Sequence, residues 1–489
     1  MTEPATWSEM VAAAHRGGGT AVVSEAGSVS GPELLAWASG IAEWLTGLGA
    51  SPGVPVPALL GATTPEAVAL TVGGAALGTP IAPLNPRLTV HELTPIVTAL
   101  RAAVLLCEPD AVDVGAAVAD AAGARLAVLG DVPASTRPLP EPDPDAIAGY
   151  LHTSGTTGRP KPVAMAQDRL VVRSHVNIGL LRLTPDSVYA TASPWPHIAG
   201  SGNVVVALAA GATVVAVPRF TVESWTGLQT LEPTHALLVP SMIEMLLAAD
   251  LLEPGTLRVL QYGSSPIHPD TLARVLEVLP DVDLVNLFGQ TEGSPITSLG
   301  PDDHRLAADG RPELLCSVGR AVPGVELRVD DPDEHGVGEV VARAAHFLRP
   351  DPDGWLHTGD LGRLDDDGFL YLSGRRGDKI VRGGENVYPV EVEDVLVKHP
   401  GVAEVAVVGV PERRLGETVA AFVVPAEGSA PPTADELRAF ARERLAGFKV
   451  PGEWSFVTSL PRTSSGKVQR RLLAESRPEG ASLSGGVAG

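Results

Sequence analysis

The sequence predicts an α/β fold with a large N-terminal domain of layered α/β subdomains, mostly parallel sheets, and a small, mobile C-terminal α+β domain. Three observations support this prediction. The chain has 489 residues, which is too long for a single hydrophobic core. Apolar runs of helix length alternate with short apolar runs of strand length. The charge balance changes near residue 375, which indicates a second unit.

The alternation of helices and strands is clearest in the first half of the chain. We predict helices at residues 30–49, 66–75, 204–210 and 242–249, and strands at 79–83, 102–106, 125–129, 146–151, 213–217, 237–239 and 258–262. Prolines and Gly130 punctuate residues 130–147, so we predict a surface linker there. The apolar run 204–217 is shorter than the ~20 residues that span a bilayer, and Gly211 interrupts it, so no membrane span is expected.

The C-terminal part has its own pattern. We predict an N-terminal domain at residues 1–376, a C-terminal domain at 377–475 and a disordered tail at 476–489. Within the second domain, residues 390–398 and 433–445 are predicted helices, and 402–410 and 419–424 are predicted strands. Thr433 with Glu436 three residues later is a capping box, which marks the start of the second of these helices.

Composition excludes several classes of protein. Lys and Arg total 36 against 58 Asp and Glu, a net charge of −22, so a nucleic-acid partner is not expected. The acidic excess lies before residue 375, and the nearly neutral residues 375–475 are the better host for an anionic ligand. The two cysteines, Cys107 and Cys316, lie too far apart in sequence to suggest a disulfide framework. The N-terminal residues MTEPATWSEM lack a basic region, so we expect no signal peptide and a cytoplasmic location.

Residues 152–161 read HTSGTTGRPK, a stretch rich in Ser, Thr and Gly that ends on Lys161. It follows a predicted strand, and such a turn can direct backbone N–H groups and hydroxyls outward to hold phosphate. It is not the Walker pattern, because the spacing differs and no Ser or Thr follows the lysine. On this segment alone, a phosphate loop and a polar surface loop both remain open.

Four further segments carry charged residues among glycines. Residues 286–293, NLFGQTEG, place Glu292 after a predicted strand end, and residues 354–362, GWLHTGDLG, place Asp360 between glycines. Residues 374–389, GRRGDKIVRGGENVYP, lie where the composition changes. Residues 461–471, PRTSSGKVQRR, present Lys467 on a short Ser-Gly loop. Taken singly, each of these segments reads as a solvated turn.

In this order, the five segments resemble the acyl-adenylate-forming superfamily, which includes acyl-CoA synthetases, adenylation domains of peptide synthetases and beetle luciferases. The resemblance covers nearly the whole chain and extends to residues 81–92, IAPLNPRLTVHE. Residues 383–389, GGENVYP, and 438–451, RAFARERLAGFKVP, are most similar to acyl-CoA synthetases. The resemblance implies an enzyme that uses ATP and Mg²⁺ to convert a carboxylic acid to acyl-AMP, releases pyrophosphate, and transfers the acyl group to coenzyme A.

The resemblance also assigns roles to residues of the large domain. The segment that would hold the β- and γ-phosphates consists of Thr153, Ser154, Gly155, Thr156, Thr157, Gly158 and Lys161. Thr156 and Glu292 would bind Mg²⁺, and Thr291 would contact phosphate. The residues implied around adenine are Gly263, Ser264, Ser265, Phe288 and Gly289, where Phe288 replaces the family's usual tyrosine but can still stack.

The remaining roles fall near or within the small domain. Asp360 and Arg375 match the ribose-binding pair, and Asp378 matches the hinge between the domains. Lys467 matches the lysine that meets the carboxylate and the α-phosphate, and Lys449 is a candidate contact for a CoA phosphate. One departure is Pro162, where the family usually has glycine; its fixed φ and missing N–H would stiffen the phosphate loop.

The chemistry agrees with these roles. A carboxylate does not react with a thiol at neutral pH because its leaving group would be oxide, and transfer of AMP supplies a better one. Attack of a carboxylate on a phosphate brings two anions together, so the site needs cations, namely Mg²⁺ on Glu292 and Lys467. This step needs no general base, which fits the lack of a recognisable triad.

The acyl substrate is indicated by residues 192–202, ASPWPHIAGSG, where the resemblance places His197 beside the acyl group. No acid is present there to pair with an amine, so we predict a small-molecule substrate, a carboxylic acid without an α-amine. Three alternatives remain: loading of an acyl carrier protein as a free-standing enzyme, luciferase-type oxygenation, and an inactive nucleotide-binding partner. A homodimer is compatible with the sequence.

Overall fold

The structure is a computed structural model. It describes residues 4–130, 132–153, 161–217, 219–382, 385–412, 416–426, 431–463 and 467–476. The predicted tail therefore lies outside the described residues after Ser476.

The chain divides into two compact units. The first comprises Met1–Arg328, Val341–Thr358 and Leu364–Tyr371, and the second comprises Val329–Val340, Gly359–Arg363 and Leu372–Gly489. The predicted boundary at residue 376 stays a prediction, because the second unit also takes two short earlier segments.

Helices occur in both units. In the described residues they are α1 (Trp7–His15), α2 (Gly31–Gly47), α3 (Pro65–Leu77), α4 (Val90–Leu100), α5 (Val112–Ala122), α6 (Gln167–Leu181), α7 (Ser201–Ala209), α8 (Val222–Gln229), α9 (Pro240–Ala248), α10 (Pro269–Val278), α11 (Pro301–Ala308), α12 (Pro389–Leu396), α13 (Ala434–Arg442) and α14 (Arg470–Glu475). Local sequence sets several starts: Thr6, Ser30, Thr89 and Thr433 each close a capping box with the glutamate three residues later.

The strands are short, as expected for a layered α/β protein. Those before residue 200 are β1 (Thr20–Ser24), β2 (Gly27–Ser30), β3 (Val56–Leu59), β4 (Ile81–Leu84), β5 (Val104–Cys107), β6 (Arg125–Val128), β7 (Ile147–Thr153), β8 (Lys161–Ala166) and β9 (Val188–Thr191). Those that follow are β10 (Thr213–Val215), β11 (His235–Leu238), β12 (Val259–Gly263), β13 (Asp283–Gln290), β14 (Gly293–Leu299), β15 (Arg320–Ala321), β16 (Glu326–Asp330), β17 (Gly338–Arg343), β18 (Leu356–Leu364), β19 (Leu370–Arg375), β20 (Ile380–Arg382), β21 (Glu385–Val387), β22 (Val402–Glu412), β23 (Gly416–Pro425) and β24 (Glu453–Phe456).

Two mostly parallel sheets form the first unit. In the described residues one has the order β6-β5-β3-β4-β7-β8, and the other has the order β15-β14-β13-β12-β11-β9-β10-β1-β2. Among the described strands, the antiparallel pairs are β7 with β8 in the first sheet, and β13 with β14, β14 with β15 and β1 with β2 in the second. One apolar cluster joins both sheets to the helices between them and includes the fully buried Trp7, Leu34 and Val206. This architecture confirms the predicted fold class.

Two smaller sheets follow. One has the order β16-β17-β18-β19, and the other, in the second unit, has the order β21-β20-β23-β22 with β24 paired to β23. The latter is mainly antiparallel and packs on α12 and α13 through a cluster that includes Val392, Val407 and Leu437. The second unit is therefore α+β, as predicted.

Most predicted elements are found within a few residues of their expected bounds, but residues 130–147 are not simply a surface linker. Leu139 is partly buried against the main apolar cluster, and Ser135 N donates to Ala36 O of α2 at 2.9 Å. A Cβ atom on Gly40 of α2 would lie 2.0 Å from Pro133 O. The segment therefore packs closely on α2, and the glycine permits this contact.

Candidate active site

The predicted phosphate loop connects two paired strands. Strand β7 ends at Thr153 and β8 begins at Lys161, and these two residues lie opposite each other in an antiparallel pair. The predicted ligands between them lie outside the described residues: Ser154, Gly155, Thr156, Thr157 and Gly158. Lys161 is exposed at the end of the hairpin. The backbone thus confirms that a strand leads into this segment, as a phosphate nest requires.

Pro162 lies opposite His152 on β8. Strand β8 is at the edge of its sheet, where a proline is tolerated because its missing N–H need not serve a second neighbour. Opposite it, the Nδ1 atom of His152 is buried and has no hydrogen-bond partner in the described residues, and burial lowers the pKa of this histidine to about 4. His152 is therefore neutral at physiological pH.

The predicted adenine-binding residues follow the carboxyl end of β12. Gly263 lies opposite Leu287 on β13, and Ser264 has φ +67°, in the left-handed region that non-glycine residues seldom adopt. Such backbone strain tends to occur at functional sites. Nearby, Asn286 Nδ2 donates to Tyr262 O at 3.3 Å, whereas its Oδ1 is buried and has no partner among the described residues. Sequence reasoning did not single out Asn286 as a site residue.

Glu292 and Thr291 lie in the turn between β13 and β14, beside the same strand ends. The backbone of Glu292 is fixed because its carbonyl accepts hydrogen bonds from Leu348 N at 2.8 Å and Arg349 N at 3.0 Å. A Cβ atom on Gly289 would lie 2.8 Å from Gly293 O, so this tight hairpin needs glycine there. The glutamate is therefore held on a rigid turn and remains partly exposed.

Phe288 is partly buried and packs against a small cluster that includes Ile296, Phe347 and Leu356. Its ring is fixed by this packing before any ligand binds. Stacking on adenine stays a prediction.

His197 lies in a turn between β9 and α7, where Gly200 N donates to its carbonyl at 2.9 Å. A Cβ atom on Gly200 would lie 2.3 Å from Pro194 O, so this glycine serves the turn and does not indicate room for a large acyl group. Trp195 is fully buried in the main apolar cluster. His197 itself is half-buried at the edge of these apolar side chains.

The second unit brings the predicted ribose-binding pair together. Arg375 Nε donates to Asp360 Oδ1 at 3.0 Å, and the Asp360 side chain is only 13% exposed. Asp360 lies within strand β18, not in a solvated turn. Burial raises the pKa of Asp360, although Arg375 and Lys467 act in the opposite direction. Lys467 is therefore close enough to interact with this carboxylate.

The Lys467 segment is held by its neighbours within the second unit. Thr463 N donates to Lys467 O at 2.8 Å, and Lys467 N donates to Thr463 Oγ1 at 3.2 Å. Arg462 and Val468 form a β-bridge on either side. These contacts hold Thr463 and Lys467 close together, and the lysine side chain is exposed.

An ion-pair network lies directly after this loop and was missed by sequence reasoning. Arg470 Nη2 donates to both oxygens of Glu393 at 2.8 and 2.7 Å, and its Nη1 lies 3.8 Å from Asp378 Oδ2. Arg470 is three residues from Lys467, and Asp378 is the predicted hinge residue. The basic pair at the end of GKVQRR was the available signal, but its partners are too distant in sequence to identify.

Lys449 has a partner already. Its Nζ lies 2.5 Å from Glu391 Oε1, and its side chain is 22% exposed. A CoA phosphate would have to compete with this carboxylate, so the role of Lys449 stays a prediction.

The described residues contain no group of three or more His, Cys, Asp or Glu side chains suited to a metal ion. Mg²⁺ needs no such group when it binds ATP, because it is usually held by one or two carboxylates and the phosphate oxygens. Glu292 fits that requirement, because its carboxylate lies on a fixed turn that follows the predicted adenine-binding residues Phe288 and Gly289. In the described part of the chain, no helix is long and apolar enough to cross a bilayer.

Comparisons with known proteins identify the family of the chain. The AMP-binding enzyme family model matches residues 9–349, and the AMP-binding enzyme C-terminal domain model matches residues 391–467. The fatty acid–[acyl-carrier-protein] ligase ScoC of Streptomyces coeruleorubidus is 35% identical over 492 residues, which cover 93% of each chain. The indoleacetate–CoA ligase of Aromatoleum aromaticum is 34% identical and covers 84% of this chain and 86% of its own.

Solved structures agree as well. The o-succinylbenzoate CoA synthetase MenE from Bacillus subtilis, in complex with its acyl-adenylate intermediate, aligns with a TM-score of 0.86 at 28% identity. The alignment covers 98% of this chain and 99% of MenE. The chain belongs to the AMP-binding enzyme family, within the acyl-adenylate-forming superfamily, and is an AMP-forming acid–thiol ligase.

Proposed function

We propose that the enzyme activates a small carboxylic acid that has no α-amine and transfers the acyl group to coenzyme A. The observation that supports this most is the cluster in the second unit, where Lys467 interacts with Asp360 and Asp360 pairs with Arg375. Their closeness supports a ribose acceptor at Asp360 and an action of Lys467 on the α-phosphate. The acid-free segment around His197 supports an acyl group without an amine.

In the first step, a carboxylate oxygen of the substrate attacks the α-phosphorus of ATP, and pyrophosphate leaves. Asp360 accepts from the ribose hydroxyls, and Lys467 offsets the negative charge of the carboxylate and the α-phosphate. Glu292 and Thr156 would hold Mg²⁺, which neutralises the phosphate oxygens when bound. The residues at the end of β12 form the adenine side of this site.

In the second step, a thiol attacks the acyl carbon of acyl-AMP, and AMP leaves. The leaving group is already good, so this step depends less on Lys467. The family resemblance of residues 383–389 and 438–451 to acyl-CoA synthetases favours CoA as the thiol. We place the enzyme in the cytoplasm, since the two cysteines lie too far apart in sequence to suggest a disulfide framework.

Glu292→Ala provides the direct test of adenylation. We expect pyrophosphate release to fall by several orders of magnitude with every acid, because the Mg²⁺ ligand is lost and not a contact to one substrate. Glu253→Ala, on an exposed loop, is the matched control and should retain full activity. Pyrophosphate release at the wild-type rate in a folded Glu292→Ala variant would contradict the proposed site.

The acceptor remains the main alternative, because one relative is an acyl-carrier-protein ligase. With a productive acid, thioester formation is measured with CoA and with purified carrier protein at equal thiol concentration. We expect the higher kcat/KM with CoA. If the thioester forms only on the carrier protein, the carrier protein and not CoA is the acceptor, and the proposed adenylation step is unaffected.

A further inference from the structure

Arg173 on α6 is a buried cation for which the described part of the chain supplies no counter-ion. Its side chain is one of the largest that are fully buried, and only 2% of the residue is exposed. Nη1 donates to Gly202 O at 2.7 Å, and Nε donates to Ser294 O at 3.2 Å. Among the described residues, no carboxylate forms an ion pair with it, and Nη2 makes no hydrogen bond. Only part of the guanidinium's donor capacity is therefore used.

The charge on Arg173 persists at neutral pH. Burial lowers its pKa to about 10, which leaves the guanidinium protonated. The polar side chains near it cannot supply the missing negative charge. Burial raises the pKa of Tyr189, whose hydroxyl donates to Gln261 Oε1, and lowers the pKa of His346, an effect to which Arg173 contributes. Both neighbours are neutral, and a buried charge without an anionic partner is unfavourable.

Arg173 contacts two segments of the first unit, one that carries His197 and one that carries Glu292. Gly202 lies in the first turn of α7, five residues after His197, and Ser294 begins β14 two residues after Glu292. The guanidinium binds the backbone of both segments beyond these two residues. The guanidinium therefore holds together the two segments that carry His197 and Glu292.

We propose that a second acidic group on the acyl substrate is the counter-ion of Arg173, so that the enzyme's acid is a dicarboxylic acid. This inference rests on the proposed function. One carboxylate attacks the α-phosphorus and displaces pyrophosphate, whereas the other stays ionised on the guanidinium and takes no part in the bond changes. A carboxylate matches the planar donor arrangement of an arginine, and the charge-assisted hydrogen bonds selectively stabilise diacids over monoacids of equal length.

The wild-type enzyme gives the first test. Pyrophosphate release is measured with matched pairs of acids: malonate against propionate, succinate against butyrate, and adipate against hexanoate. We expect at least one diacid to exceed its paired monoacid about tenfold or more in kcat/KM. Faster release with the monoacid in every pair overturns the inference and leaves the proposed function standing. Release with no acid in a broader panel counts against the proposed function itself.

Variants of Arg173 give the second test. Arg173→Met should reduce the diacid-to-monoacid ratio of kcat/KM about 10- to 100-fold, and Arg173→Lys should keep part of the ratio because it keeps the charge. Arg169→Met is the matched control, since Arg169 lies one turn earlier on α6 and donates to Ala345 O. We expect this control to leave the ratio unchanged. Thermal unfolding of each variant confirms that it is folded.

Two outcomes would overturn the role of Arg173. If activity with diacids and monoacids falls by the same factor in folded Arg173→Met, the side chain only fastens α6 to α7 and β14. If instead the KM for ATP rises equally with every acid, the counter-ion is a phosphate of the nucleotide. A direct binding measurement separates these cases: succinate or adipate with AMP should raise the melting temperature of the wild type but not of Arg173→Met.

Discussion

At the residue scale, Asp360 combines two properties that oppose each other. It is nearly buried, which raises its pKa, yet Arg375 and Lys467 stabilise its ionised form. A ribose hydroxyl donates best to an ionised carboxylate, which has more acceptor capacity than the protonated acid. Nucleotide binding should therefore depend on the charge state of this residue.

We therefore predict that the affinity for ATP declines at acidic pH, which gives the pH profile of KM an acid limb. As the pH falls through the raised pKa of Asp360, the carboxylate is protonated, and the KM for ATP should rise. The rise should begin at a higher pH than for an ordinary aspartate. Asp360→Asn should increase the KM for ATP about tenfold and remove the acid limb, because the amide does not titrate. Asp186→Asn, at an exposed position, is the control.

The measurement is the KM for ATP across acidic pH in all three proteins. If the KM for ATP stays constant across acidic pH in the wild type, as it should in Asp360→Asn, the role of Asp360 is contradicted. An acid limb that survives unchanged in the variant would assign it to another group.

Sequence reasoning reached different depths for different residues. Glu292, Asp360 and Lys467 could be predicted because each lies in a short segment whose order along the chain is typical of the family. Arg173 could not, because its significance depends on burial without a counter-ion. Asn286 could not either, because an unpaired amide oxygen is visible only once the neighbouring strands are in place.

At the element scale, α14 is tied to the rest of the second unit by a short network of charges. Arg470 begins this helix and binds Glu393 of α12, whose Oε1 also accepts from Val407 N of β22 at 2.7 Å. Burial raises the pKa of Glu393 even though Arg470 opposes the shift. The pair thus positions the segment that carries Lys467.

Removal of either partner should destabilise the second unit. Glu393→Gln leaves the Arg470 charge without a strong partner, and we expect a loss of about 2 kcal/mol in the free energy of unfolding. The loss is smaller than the roughly 3–5 kcal/mol of a fully buried pair, because the Arg470 side chain is 27% exposed. Urea unfolding measures it.

A double-mutant cycle isolates the interaction. Arg470→Gln combined with Glu393→Gln should cost less than the sum of the single changes. The exposed pair of Arg438 and Asp435 on α13 is the matched control and should contribute at most about 1 kcal/mol. Additive effects at Glu393 and Arg470 would show that the two side chains do not stabilise each other.

The elements themselves were largely predictable from local patterns. The helix at α2 and the capping box of α13 follow directly from hydrophobic spacing and capping residues. The contact of residues 130–147 with α2 was not predictable, because it depends on Gly40 meeting a segment far along the chain. Strand order was also beyond local patterns, because Val22 of β1 pairs with Val214 of β10, far along the chain.

At the scale of the whole molecule, buried histidines should govern stability near neutral pH. Burial lowers the pKa of His152, His235 and His304 to about 4 each, and also lowers the pKa of His15 and His346. His304 illustrates the cause: its Nε2 lies 2.8 Å from the Tyr262 hydroxyl and its Nδ1 lies 2.7 Å from Gly300 O. Both contacts suit a neutral ring that donates from Nδ1 and accepts at Nε2.

We therefore predict acid destabilisation in a defined window. The unfolded chain binds protons on His152, His235 and His304 below about pH 6.5, whereas in the folded protein their pKa values of about 4 keep these rings neutral. The stability that these neutral rings contribute is fully present above about pH 6.5. It falls as the pH drops toward 4, by about 1.4 kcal/mol per pH unit for each histidine that stays unprotonated in the folded protein. Melting temperatures from about pH 7.5 to about pH 5 measure this slope. His304→Gln should reduce it, and the exposed His335→Gln should not; equal slopes in all three proteins would contradict the assignment.

The last prediction concerns how the two units share the reaction. Lys467 is an exposed point charge on a loop of the second unit, held at its backbone by Thr463 and followed by the Arg470 network. A cation is needed when a carboxylate attacks a phosphate, because both reactants are negative. It is not needed when a thiol attacks acyl-AMP, because the leaving group is already good. We therefore expect the second unit to change its position between the two steps and Lys467 to act only in the first.

Lys467→Ala separates the two half-reactions. Acyl-AMP formation, measured as pyrophosphate release, should fall by several orders of magnitude, whereas thioester formation from supplied acyl-AMP and CoA should keep most of its rate. Acetylation of Lys467 should act in the same direction, since it removes the charge. Lys398→Ala, an exposed lysine of the same unit, is the control and should change neither step. If adenylation survives in Lys467→Ala, or if both steps decline together in a folded protein, the lysine does not divide the reaction in this way.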